Sequence, residues 1–162
     1  MTVAVAACSQ TVPGTAERPP ADPPDEQRSY GYVDDRCGLL DDDAVRDLLG
    51  ANNVVRPFSG AVCQYVLATD RGLIDVVFSW FDRGTLARER AVAAERGSRI
   101  TDVELTRQPA FLARRPDNPD ACSATVDAGS GVLTWWVQHR PGGDDACRDA
   151  EKLLIATLSA DS

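Results

Sequence analysis

Between residues 72 and 82 the chain reads GLIDVVFSWFD, and its side chains alternate. Ile74, Val76, Phe78 and Trp80 fall on one side; Leu73, Val77 and Phe81 fall on the other, with Asp75 and Ser79. Period two over that length predicts a strand with one wholly apolar face. The preceding stretch AVCQYVLAT, residues 61–69, is β-rich in composition, and Arg71-Gly72 at the junction predicts a hairpin turn. The period then changes. TLARERAVAAERG predicts a helix from Thr85 to Gly97 with a modest apolar face of Leu86, Ala93 and Ala94 and a snorkelling Arg90, hence amphipathic and partly exposed.

Three further β stretches follow. TDVELTR, residues 101–107, turns Val103 and Leu105 inward, and AFLAR, residues 110–114, is short. ACSATVDAGSGVLTWWVQHR reads as a hairpin with arms around 121–127 and 132–140 and its turn near Gly129 to Gly131. Helices are expected at both ends of this unit. In DRCGLLDDDAVRDLLG, Asp41 is a natural N-cap and Asp42 and Asp43 suit the positive end of the helix dipole. Leu40 and Val45 fit a hydrophobic staple, Leu48 and Leu49 complete the apolar stripe, and Gly50 suits a left-handed C-terminal cap. The last helix, DDACRDAEKLLIATLSA, is capped by Asp144 or Asp145 and buries Ala146, Ala150, Leu153, Leu154 and Thr157. The order α-β-β-α-β-β-β-α predicts an α+β domain, a mainly antiparallel sheet covered by helices.

Upstream of Asp34 the patterning stops. Residues 9–33 hold Pro13, Pro19, Pro20, Pro23 and Pro24 among scattered charges, a composition that cannot bury enough surface to offset its ordering entropy. They are expected to be a disordered, extended tether ahead of one folded domain at 34–162. Before the tether lies VAAC, residues 5–8, which has the form of a lipobox: a branched apolar residue, two small ones, then cysteine. Residues 1–8 are read as the remnant of a signal peptide whose start lies upstream, with Cys8 as the lipid attachment point.

Composition sharpens this picture. With 25 acidic and 17 basic residues the net charge is −8, which disfavours nucleic acid and electrostatic docking on an anionic membrane. No stretch approaches the roughly 20 apolar residues of a transmembrane helix. Lys152 is the sole lysine, and with abundant Ala, Asp and Gly the composition suits a high-GC genome. Of five cysteines, assigning Cys8 to lipid leaves Cys37, Cys63, Cys122 and Cys147. No C-x-x-C pair is present and His139 is the only histidine, so neither a zinc cage nor a thioredoxin-like motif is indicated. Outside the cytoplasm four such cysteines should form two disulfides. Three pairings are possible; Cys37–Cys63 with Cys122–Cys147 is preferred, each joining a helix start to a strand close in sequence.

The succession C-G-L-L-D, C-Q-Y, F-S-W-F-x-R-G-x-x-x-R-E-R, C-S-A-T-V, W-W-V and C-R-D-A-E-K-L resembles actinobacterial lipoproteins that carry the domain of unknown function numbered 3558. The resemblance spans residues 35–160, and CSQTVPGTA after the lipobox is similar to the mature start of mycobacterial-type lipoproteins. It implies a location on the outer face of the cell membrane and a fold. It implies no catalytic residues.

Candidate chemistry is sparse. No G-x-S-x-G elbow accompanies His139, which reads as a strand-end residue near solvent. Asp41, Asp42 and Asp43 lack EF-hand spacing and are explained by capping. Trp80, Trp135, Trp136 and Tyr65 are the candidate binding aromatics. Adjacent strand residues face opposite ways, so either one of Trp135 and Trp136 is core and the other lines a groove, or helices cover both sheet faces. Arg83, Arg88 and Arg90 either bind an anionic group or form a solvated, ion-paired face. The expected function is a lipid-anchored envelope domain, without cofactor or metal, that binds a partner protein or small ligand. An alternative is an accessory domain delivering a small molecule, lipid or cell-wall fragment. A hydrolase is a further alternative; it would require clustered carboxylates, or His139 beside a serine in a cleft.

Overall fold

The computed structural model describes residues 28–142 and 145–160; Cys8, the lipobox and most of the expected tether lie outside the described residues. A small hairpin, β1 (Tyr32–Val33) and β2 (Arg36–Cys37), leads into helix α1 (Asp42–Leu48). Then come β3 (Asn53–Phe58), β4 (Val62–Thr69), β5 (Gly72–Phe81), helix α2 (Leu86–Glu95), β6 (Arg99–Leu105), β7 (Gln108–Arg115), β8 (Asn118–Asp127), β9 (Val132–Arg140) and helix α3 (Ala146–Ser159). The seven later strands form one antiparallel sheet in the order β3-β4-β5-β9-β8-β7-β6. Two meanders thus meet where β5 pairs with β9, and α2 carries the chain from the centre of the sheet to its far edge.

The α+β architecture expected from the pattern is present, with two additions. The β1–β2 hairpin precedes α1, and β3 precedes β4, while the hairpin read at 121–140 is present as β8 and β9. β3 contains Pro57 and a register break between Val55 and Phe58, so its apolar residues do not alternate. Proline is tolerated there because the strand lies at the sheet edge, where a missing N–H breaks no ladder. The hairpin from β4 to β5 closes at Thr69 and Gly72. Gly72 has φ 148°, and a Cβ there would lie 2.2 Å from the Arg140 carbonyl oxygen, so the neighbouring backbone excludes any side chain.

The helix ends follow their local chemistry. Asp41 Oδ1 accepts from the Ala44 amide at 2.8 Å, and Leu40 and Val45 are both buried as a staple. Gly50 sits at φ 62°, while its amide and that of Ala51 bond back to Asp47 and Arg46, a Schellman close. Asp145 caps α3 through the amides of Cys147 and Arg148, and Ala146, Ala150, Leu153, Leu154 and Thr157 are buried.

The core lies between one sheet face and the layer of α1 and α3. Tyr65, Leu67, Val76, Phe78, Leu133, Trp135 and Val137 point into it from the sheet. The Trp135 indole N–H donates to Thr157 Oγ1 at 2.9 Å, so these two buried polar groups satisfy each other. Disulfides Cys37–Cys63 and Cys122–Cys147 join the same two layers. The folded unit also reaches back past Asp34. Tyr30, expected in the tether, is 2% exposed, its ring centroid 5.4 Å from that of Trp80, and Ser130 Oγ donates to the Arg28 carbonyl at 2.6 Å. The aromatic bulk of Tyr30 gives this end of the Pro-rich stretch the apolar area that the rest lacks.

Candidate functional site

The second face of the sheet is covered differently. α2 crosses it near β6, β7 and β8, capped by Thr85 Oγ1 on the Arg88 amide, yet buries none of its own residues fully. The apolar face expected for α2 is correspondingly thin: Ala94 is exposed, and Arg90 does not snorkel over the helix but donates through Nε to Asp102 Oδ1 at 2.9 Å. That bond holds the Asp102 carboxyl below its ordinary pKa. Val55, Phe58, Leu73 and Phe81 are exposed on the uncovered remainder.

Strand register specifies what lies beneath and beside the helix. Gln64, Val77, Trp136, Ser123 and Ala113 form one cross-strand row, and Val62, Ser79, Thr134, Thr125 and Phe111 form the next. Two hollows open along these rows. One, of about 340 Å³, is lined by Ser79, Phe81, Phe111, Thr134, Trp136 and, from α2, Glu89 and Arg96. The other, of about 250 Å³, shares Ala93, Arg96, Ser123 and Trp136 with it and runs on to Arg115 and Asn118. Together they make one trough between α2 and the sheet with Trp136 in its floor. Thr125 and Thr134 bond each other through their hydroxyls at 2.9 Å. The hydroxyls of Ser79 and Ser123 have no hydrogen-bond partner among the described residues. A third hollow of about 480 Å³ adjoins through Phe81 and Glu89, with Arg83 and Arg88 at its rim.

The sequence-derived aromatic set divides here. Trp136 lines the trough. Trp135 and Tyr65, at 0% and 1% exposure, belong to the core and do not form a binding surface with it, whereas Trp80, 8% exposed and packed on Tyr30, also lines the third hollow with Arg83 and Arg88. Their phase along β9, β4 and β5 turns them toward the α1–α3 layer, where rings of that size are the bulk of the packing. Three further trough residues, Ser123, Thr125 and Thr134, are encoded in the same alternation: each is one step out of phase with Ala124 or Trp135.

His139 is also not where a strand-end reading places it. It points to the core side, is 6% exposed, and its Nε2 lies 3.0 Å from Asp149 Oδ2. Lys152 Nζ donates to the other oxygen of Asp149 at 2.8 Å. A polar cleft of about 290 Å³ opens above them, with Arg71 and Arg148 in its wall. An Asp-held imidazole is suited to base chemistry, but no serine lines this cleft, and Thr69 Oγ1 already donates to the Gly72 carbonyl at 3.1 Å.

A second polar cluster brackets the first disulfide. The Arg56 side chain, 8% exposed, forms ion pairs with Asp35 and with Asp42, the latter at 3.3 Å, and its guanidinium lies 5.5 Å from the Tyr32 ring centroid. Burial raises the Asp42 pKa against the pull of Arg56, whereas the bond from the Tyr32 hydroxyl, with Arg56 beyond it, lowers that of Asp35. These groups brace the N-terminal segment against β3. Among the described residues no group of three or more His, Cys, Asp or Glu side chains is placed to hold a metal ion, and no helix is long and apolar enough to cross a membrane.

No curated protein and no solved structure matches the chain. Residues 3–160 do match one family, and they take in both disulfides, the trough and the His139 cleft. The chain therefore belongs to the family described as "Protein of unknown function (DUF3558)".

Proposed function

We propose that this protein is a non-catalytic binding domain, held by lipid on Cys8 at the outer face of the cell membrane, and that its ligand lies in the trough between α2 and the sheet. The observation that supports the binding site is Trp136 set between two unpartnered serine hydroxyls, Ser79 and Ser123, in a concave groove. An aromatic floor with a few orienting polar groups is the usual make-up of a small-molecule site. Two disulfides and a net charge of −8 suit an extracytoplasmic domain that avoids nucleic acid. The tether would keep the domain close to membrane neighbours and raise its effective concentration for them.

Two measurements address this reading. Amide and indole NMR shifts recorded against a fragment library should cluster on Trp136, Ser123 and Thr134, and Trp136→Ala should remove them while the core Trp135 signal stays put. Hits confined to the His139 cleft, or none at all, would reject the trough. Mass spectrometry of protein made from an upstream start should find a diacylglyceryl adduct on Cys8; an unmodified thiol there would reject the anchor.

A further inference from the structure

We infer that the trough takes a neutral oligosaccharide laid across β5, β9, β8 and β7. This rests on the trough being the binding site and specifies the chemistry of what fills it. Its floor is unlike a covered sheet face. Central strands buried under a helix are normally apolar on that side, yet here the residues beside Trp136 on both neighbouring strands and within β9 are Val77, Ser123 and Thr134, with Ser79 and Thr125 in the next row. The helix above adds Glu89 and Arg96, whose side chains have no ion-pair partner among the described residues.

Each ligand class meets this surface differently. An acyl chain would cover Trp136 well, but it would desolvate the Ser79 and Ser123 hydroxyls without bonding them. A strand-forming peptide needs an open sheet edge, and the strands under the trough are paired on both sides. A phosphorylated or polyanionic ligand would meet Glu89 as well as Arg96 within a chain of net charge −8. A sugar ring has an apolar C–H face to lie on the indole and a rim of hydroxyls. Each rim hydroxyl both donates and accepts, so Ser, Thr, Glu and Arg are all usable partners. The length is also informative. From β5 to β7 the trough crosses three strand spacings, about 14 Å, which fits a few linked rings rather than a single small metabolite.

The test uses the oxidised domain with maltotetraose, cellotetraose and chitotetraose as probes, read by NMR shifts of the Trp136 indole and the Ser79, Ser123 and Arg96 amides. At least one sugar should give saturable shifts there at millimolar concentration. Trp136→Ala should weaken binding tenfold or more. Ser123→Ala, which removes only a hydroxyl and keeps the fold secure, should weaken it severalfold. Sodium decanoate below its micelle concentration is the parallel arm. Saturation of the same residues by decanoate, with silence toward all three sugars, would overturn the oligosaccharide and leave the trough as the site. Sugar shifts confined to the His139 cleft would overturn it too. Silence of the trough toward sugars, decanoate and fragments alike would overturn both the ligand class and the site.

Discussion

Tyr65 turns its phenol inward from β4, with its ring centroid 6.1 Å from that of Trp135 and the Arg56 guanidinium 6.0 Å away. Its hydroxyl is buried and meets no partner of normal hydrogen-bond geometry. Burial drives its pKa well above the ordinary tyrosine value, outweighing the nearby Arg56 charge. The folded state thus favours the neutral phenol. Above about pH 10 the unfolded chain loses that proton first, so the stability present below that pH falls as pH rises through the raised value. Tyr65→Phe should be within about 1 kcal/mol of the parent at pH 7, because an unpaired hydroxyl contributes little. It should also flatten the alkaline loss. Urea midpoints of both proteins at pH 7 and 10.5 measure this, and an equal drop in the two would show that Tyr65 is not responsible. Tyr32 shifts upward as well, through its bond to Asp35, but it is present in both proteins and cancels in the comparison.

α2 is the most weakly seated of the three helices α1, α2 and α3. It contributes no fully buried side chain and is held by its Thr85 cap, by the exposed Arg90–Asp102 pair and by shallow contact with the sheet. An exposed pair of this kind is worth about 0–1 kcal/mol, and loss of a threonine cap costs about 1 kcal/mol. Amides of α2 should therefore exchange through local opening far more readily than those of β5 and β9. Thr85→Ala should speed exchange in α2 with little change in global stability; α2 amides as protected as those of β5 would contradict this. A loosely seated helix over a trough is also what a ligand needs in order to enter. The limits of the sequence are clearest in these elements. Period two made β5 and β9 readable, and it required Trp135 and Trp136 to point apart. It could not say which of them met α3, because both faces of β5 carry large apolar residues. β3 escaped because Pro57 and the break after Val55 erase the alternation that marks a strand. The buried place of His139 is hidden in the sequence although its phase matches Trp135 and Val137, since a lone polar residue on an apolar face is legible only when its partner, Asp149 ten residues on, is known.

At the scale of the molecule, the two disulfides divide the labour between its faces. Cys37–Cys63 ties the segment before α1 to β4, and Cys122–Cys147 ties the first turn of α3 to β8. Both join the helical layer to the core side of the sheet, and neither touches α2 or the trough. The preference for these pairings followed from closeness along the chain, and that same closeness sets their energetics. With sequence separations of 26 and 25, the chain-entropy model assigns each loop about 3.5 kcal/mol. Against a total of roughly 5–15 kcal/mol for a domain, either loss is severe. Cys37→Ala with Cys63→Ala, and Cys122→Ala with Cys147→Ala, should thus lower the unfolding free energy by similar amounts in urea titrations, while the NMR signals of Trp136 and Ser123 stay at their parental positions. A marked inequality would mean that native packing, not loop entropy, governs these bonds. Arg56 Nη1 lies 3.6 Å from Cys37 Sγ, and without the bond its ion pairs with Asp35 and Asp42, with Tyr30 packed on Trp80, are left to hold the N-terminal segment. Movement of the Trp136 signals in either variant would instead show that the two faces of the sheet are coupled, and the trough could then be loosened by reduction of a bond on its far side.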